Sequence, residues 1–154
     1  MARNLVICLD GTRNELEMRS TNVVRVYDIA VKDGRQLAYY DPGVGTMGAR
    51  AAVTRTGKRL TQVAGLAAGY GVKENVAEAY RFLMDNYQAG DQIYVFGFSR
   101  GAYTARVLAG LLRTVGLLRP HAGNLIPYAL KLYTKTGKKN HTKEQDTRYW
   151  ALRA

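Results

Sequence analysis

Residues 92–106 read QIYVFGFSRGAYTAR, an apolar run that breaks at Gly97-Phe98-Ser99-Arg100-Gly101 and then resumes with a different period. Ile93, Tyr94, Val95 and Phe96 have the composition of a buried strand. Ala102, Ala105, Leu108, Ala109, Leu112 and Val115 recur at helical spacing. A G-x-S-x-G between a strand and a helix is the setting of a nucleophile elbow, where a sharp turn holds the serine oxygen clear of the sheet edge. The flanking glycines let the backbone crowd through that turn without Cβ clashes. A helix starting at about Arg100 also aims free N–H groups, and the positive end of its dipole, at any anion forming beside Ser99.

Outward from that stretch, 154 residues with 47% hydrophobic content suit one globular domain with its own core. The N-terminal apolar run, Leu5 to Leu9, is too short for a signal peptide or a membrane span, so synthesis as a soluble cytoplasmic protein is expected. Cys8 stands alone inside this run and reads as a buried strand residue, and no cysteine-based metal site is expected. The net charge of +11 is uneven: residues 1–99 hold 12 basic and 10 acidic side chains, residues 100–154 hold 11 and 2. That imbalance suits either a solvated surface or one facing an anionic partner.

Taken in order, residues 4–9 form a strand that stops at Asp10-Gly11-Thr12. Ser20 or Asn22 can cap a helix whose apolar face is Val23, Val26, Tyr27 and Ala30, closed by Asp33-Gly34. A second strand spans about Gln36 to Tyr40 and ends at Asp41-Pro42-Gly43. Residues 43–71 are glycine-rich and read as a long loop with a helical turn near Leu60 to Leu66. A helix follows from about Val72 to Tyr87, then the elbow strand and its helix to about Val115. Leu117 to Tyr133 reads as a further short helix interrupted by Pro120 and Pro127, and from Thr134 the chain is polar and lysine-rich. The expectation is an α/β, three-layer, hydrolase-like domain over residues 1–133, with a small, mainly parallel sheet incomplete on its C-terminal side. Residues 134–154 are read as a basic segment.

Three motifs, Leu9-Asp10-Gly11-Thr12-Arg13-Asn14-Glu15, Tyr39-Tyr40-Asp41-Pro42-Gly43-Val44-Gly45-Thr46 and Phe96-Gly97-Phe98-Ser99-Arg100-Gly101-Ala102, make the N-terminal portion resemble the α/β-hydrolase domain family of type VI secretion lipase effectors. Its characterised members are phospholipases. The resemblance implies an ester or phospholipid substrate and Ser99 as acyl-accepting nucleophile. It also implies the Arg100 backbone N–H as one oxyanion donor, and an N–H of the Asp10-Gly11-Thr12 turn, at Gly11 or Thr12, as the second. No cofactor or metal is implied, and secretion through a specialised system is. Arg13 departs from the tryptophan usual in the family.

Serine needs a histidine to take its proton and a carboxylate to orient that histidine, in the order acid then histidine after the elbow. Between Ser99 and His141 there is no Asp or Glu, and Glu144 and Asp146 follow both histidines. His121 reads as a loop residue and His141 as a solvated one. The expectations are therefore a hydrolase half completed by a protein partner, a homologue that keeps the fold as a non-catalytic scaffold, or a shortened form of a longer enzyme. Other readings fail on particular residues. A haloacid-dehalogenase-type phosphatase needs an aspartate where Cys8 stands. Gly43 to Gly48 fits a dinucleotide fingerprint but opens no apolar helix and has no acid about 20 residues on. Lys131 to Arg148 lacks a nucleic-acid-binding module, so nucleic acid is not an expected partner.

Overall fold

A computed structural model describes residues 2–11, 21–43 and 70–136. Its centre is strand β1 (Asn4–Leu9), flanked in parallel by β2 (Gln36–Asp41) and β3 (Gln92–Gly97), in the order β2-β1-β3. Asn4 stands opposite Gln36 and Gln92, and Leu9 opposite Asp41 and Gly97, so all three strands end level. An unbroken run from Leu5 to Leu9 is what a strand buried on both faces requires. All five side chains are buried.

Alternation along β1 sorts them between two layers. Leu5, Ile7 and Leu9 join Val76, Tyr80, Leu83, Leu108 and Leu111 in the main core, formed with helices α2 (Tyr70–Asn86), α3 (Arg100–Thr114) and α4 (Ile126–Thr136). Val6 and Cys8 face helix α1 (Asn22–Ile29) through Val23. Each fully buried aliphatic side chain of this kind is worth roughly 1.5–3 kcal/mol. Tyr80 buries its ring completely yet satisfies its hydroxyl, which accepts from the Leu118 N–H and donates to the Gly116 carbonyl, both at 2.9 Å. The loop after α3 is thereby tied to α2.

The α/β class and parallel sheet agree with the sequence reading, and several local details differ. The cap of α1 is Thr21, whose hydroxyl accepts the Val24 N–H at 3.1 Å, instead of Ser20 or Asn22. Asp33-Gly34 does not close that helix. It ends at Ile29 with Ala30 as its cap, and Asp33 accepts the N–H groups of Arg35 and Gln36 to turn the chain into β2. Pro127 does not interrupt a helix. It lies in the first turn of α4, where a missing N–H costs nothing. A 3-10 turn (Gly123–Leu125) precedes it. Of the long-loop reading of residues 43–71, residues 44–69 with the turn at Leu60 to Leu66 lie outside the described residues, as do Thr12, Arg13, His141, Glu144 and Asp146, while Tyr70 and Gly71 already belong to α2.

Among the described residues β3 is an edge strand, and α1 does not reach across it. Tyr94 and Phe96 are 43% and 40% exposed on the face where their β1 neighbours Val6 and Cys8 are buried. No described helix is long and apolar enough to cross a membrane.

At the start of the sheet, Arg3 pairs with Asp91 at 2.8 Å, and the Arg3 backbone N–H donates to the same carboxylate at 2.9 Å. Bonding to the Arg3 side chain holds the Asp91 carboxyl down at about 2. A depressed carboxyl adds stability that is complete above the unfolded value of about 4 and lost as pH falls through the folded one. Asp91→Asn should therefore be less stable than wild type at pH 6, with the difference shrinking as pH falls from about 4 through about 2, as read by urea denaturation across that range.

Candidate active site

Because β2 lies on one side of β1 and β3 on the other, the chain reverses direction across the sheet between β1 and β3. Crevices that bind ligands in open parallel sheets form at the carboxyl ends of strands at such a point. Here that end holds Asp10-Gly11, Asp41-Pro42-Gly43 and Phe98-Ser99.

Phe98 donates its N–H to the Leu9 carbonyl at 3.0 Å, extending the β1–β3 pairing one residue past the strand. Ser99 then turns sharply with φ 54° and ψ −121°, and its side chain is exposed. A non-glycine residue in such a conformation stores about 1–3 kcal/mol. The turn closes through Gly101 N–H to Phe98 O at 2.8 Å and Ala102 N–H to Ser99 O at 3.1 Å.

Three glycines make the crowding tolerable. A Cβ on Gly97 would stand 2.6 Å from the Gly101 carbonyl oxygen, and one on Gly101 would lie 2.5 Å from the Leu9 carbonyl carbon. Gly11 lies against the serine, its hypothetical Cβ 3.0 Å from Ser99 Cβ. The β1 turn and the β3 turn thus touch at the root of the Ser99 side chain.

Of the residues singled out in the sequence, Ser99, Arg100 and Gly11 come together here. The Arg100 N–H donates to no acceptor among the described residues, which leaves it open beside Ser99 at the start of α3. The Gly11 N–H is engaged, donating to Asp10 Oδ1 at 2.7 Å. Of the two N–H groups considered for a second donor, that leaves Thr12, outside the described residues. His121 does not join the cluster. It is exposed, at φ 70°, beyond the far end of α3, a helix about 22 Å long.

Two carboxylates beneath the turns carry roles that the motif reading missed. Asp10 is 1% exposed and accepts from Gly11, from the Thr21 hydroxyl at 2.6 Å and from the Tyr40 hydroxyl at 3.0 Å. Its own N–H donates to the Asp41 carbonyl at 2.8 Å. Burial, reinforced by the bond to Asp10, pushes the Tyr40 phenol well above its ordinary value and keeps it a donor. Asp41 is also buried. Its Oδ1 accepts the Gly43 N–H at 2.7 Å, and its Oδ2 has no hydrogen-bond partner among the described residues. Burial therefore raises the Asp41 carboxyl, with the Gly43 bond partly offsetting it. The only available hint was that acids directly follow both apolar strands.

Among the described residues no group of three or more His, Cys, Asp or Glu side chains could hold a metal ion. Burial pushes the Cys8 thiol up to about 11, so it stays protonated at neutral pH. A cavity of about 340 Å³ lined by Gln36, Leu37 and Phe82 lies at the start of β2, the opposite end of the sheet from Ser99.

Two stability measurements test this geometry. Gly101→Ala should cost about 2–3 kcal/mol in urea denaturation because its new methyl meets backbone. Gly34→Ala, with nothing within 4 Å, should stay within about 0.5 kcal/mol of wild type. Ser99→Gly should exceed Ser99→Ala in stability by about 1 kcal/mol, the relieved strain less the entropy of glycine.

Residues 3–153 match the family described as T6SS, Phospholipase effector Tle1-like, catalytic domain. An uncharacterized protein of Saccharomyces cerevisiae, YEL023C, is 35% identical over 140 residues, covering 86% of this chain. The chain spans 20% of that yeast protein's length. No solved structure matches. With the family match running over nearly its whole length, the chain belongs to the Tle1-like phospholipase effector catalytic-domain family.

Proposed function

We propose that this chain forms the serine-bearing part of a three-layer hydrolase fold that cleaves phospholipid esters, with Ser99 as nucleophile. The observation that carries the reading is the strained Ser99 turn beside an Arg100 N–H with no acceptor among the described residues. In the first step Ser99 Oγ bonds to the ester carbonyl carbon while a base removes its proton. The carbonyl oxygen becomes an oxyanion, accepting from Arg100 N–H and from the turn after β1, for which Thr12 is the candidate. Collapse breaks the bond to the leaving alcohol, which takes the proton, and leaves an acyl-serine that water then hydrolyses.

The base and its carboxylate are assigned to polypeptide that completes the sheet beyond β3, where Tyr94 and Phe96 are uncovered. In this division residues 1–133 are the hydrolase part and residues 134–154 a basic segment. Membership in an effector family fits delivery through a secretion system. A second reading, a scaffold that keeps the fold without the chemistry, is favoured by His121 lying at the wrong end of α3.

A fluorophosphonate probe separates the two readings. Labelling of the wild-type chain should map to Ser99 by peptide mass spectrometry and vanish in Ser99→Ala. A folded chain that stays unlabelled, alone and with candidate protein partners, supports the scaffold.

A further inference from the structure

Helix α3 buries one side and leaves the other bare. Gly101, Thr104, Leu108 and Leu111 are buried, while Tyr103, Arg106, Ala109 and Arg113 are exposed at spacings that fall on a single stripe, and the exposed Ser99 stands immediately before the helix. Phe98, just before the helix, is 52% exposed and Tyr103 is 55% exposed, so aromatic rings flank Ser99. Arg106 and Arg113 make no ion pair with any described carboxylate. From residue 100 to residue 136 the chain holds six basic side chains and no acid, so nothing nearby in sequence neutralises them.

We infer that this outer face of α3, from Phe98 to Arg113, docks on an anionic phospholipid bilayer. Planar guanidinium groups bind phosphate oxygens in pairs and are more weakly hydrated than ammonium. Aromatic rings beside them suit the boundary between headgroups and acyl chains. The rise per residue sets Arg106 about 10 Å along the helix from Ser99, with Arg113 about as far again. An arginine gripping one headgroup phosphate thus holds that lipid's ester region toward the serine, and Arg113 grips a neighbouring headgroup. The inference rests on the reading of Ser99 as acting on phospholipid esters. It adds the charge class of the surface and the residues that meet it.

Co-sedimentation tests it, with vesicles of phosphatidylcholine alone and of equal parts phosphatidylcholine and phosphatidylglycerol. Ser99→Ala serves as the background so that no lipid is consumed, and circular dichroism checks the fold of every variant. The background protein should prefer the anionic vesicles, and the preference should fade toward 1 M salt, where the Debye length is about 3 Å. Arg106→Gln with Arg113→Gln should weaken partitioning about 25-fold, roughly fivefold for each charge at an anionic surface. Phe98→Ser with Tyr103→Ser should weaken it at unchanged charge. Arg35→Gln with Lys73→Gln removes the same charge from exposed sites elsewhere and should stay within about twofold.

Equal losses in both charge pairs would overturn the docking face, as would an absence of binding to anionic vesicles. Tighter binding of a single-stranded RNA through the same arginines would assign the face to nucleic acid instead. Vesicle failure with Ser99 still labelled by fluorophosphonate leaves the catalytic reading standing. Vesicle binding without labelling does the reverse.

Discussion

How closely the start of α3 can lie on the carbonyls that end β1 governs everything at the Ser99 end of this molecule. Gly101 rests on the Leu9 carbonyl at a distance no Cβ would permit, and that contact sets where the helix begins relative to the sheet. Phe98 can then complete its bond to Leu9, Ser99 is forced into its left-handed turn, and Gly11 comes up against the serine. None of these features is independently adjustable. The strain at Ser99 is maintained by the core packing that Leu108 and Leu111 share with β1, worth about twice as much.

Beneath the turns, the two buried carboxylates are treated differently. Asp10 has donors for both oxygens, drawn from its own turn, from the cap of α1 and from β2, so one side chain joins three elements. Thr21 both caps α1 and donates to Asp10, fastening that helix to the end of β1. Among the described residues one Asp41 oxygen has no hydrogen-bond partner, and desolvation is the main influence on its carboxyl. The polar interior is therefore tight around β1 and looser at β2.

Elements carried by strong local patterns were legible in the sequence. The β1 run from Leu5 to Leu9, the periodic apolar positions of α2 and α3, and the glycine-serine-glycine turn all express local rules that leave a visible period or spacing. The Thr21 cap, the Tyr80 hydroxyl bridging to residues 36 and 38 positions away, and the Asp10 network depend on contacts made only after folding. Nothing in a one-dimensional pattern distinguishes Tyr40 as a donor to Asp10 from any other strand tyrosine. At the site, the strand-turn-helix around Ser99 could be read locally. The commitment of the Gly11 N–H to its neighbouring carboxylate could not.

The order of strands in the sheet also sets an order of events during folding. The central strand is the first one synthesised, yet its second partner lies 88 residues downstream: Asn4 pairs with Gln92, and Arg3 with Asp91. Loop closure over that separation must precede the contacts that reward it, so pairing of β3 with β1 belongs among the slow steps. Until it happens, Leu5 to Leu9 has one free edge and no place to seat Gly101. The serine turn is thus seated on a contact between residues 88 apart in sequence, and the β1 edge stays open to other pairing until that contact forms.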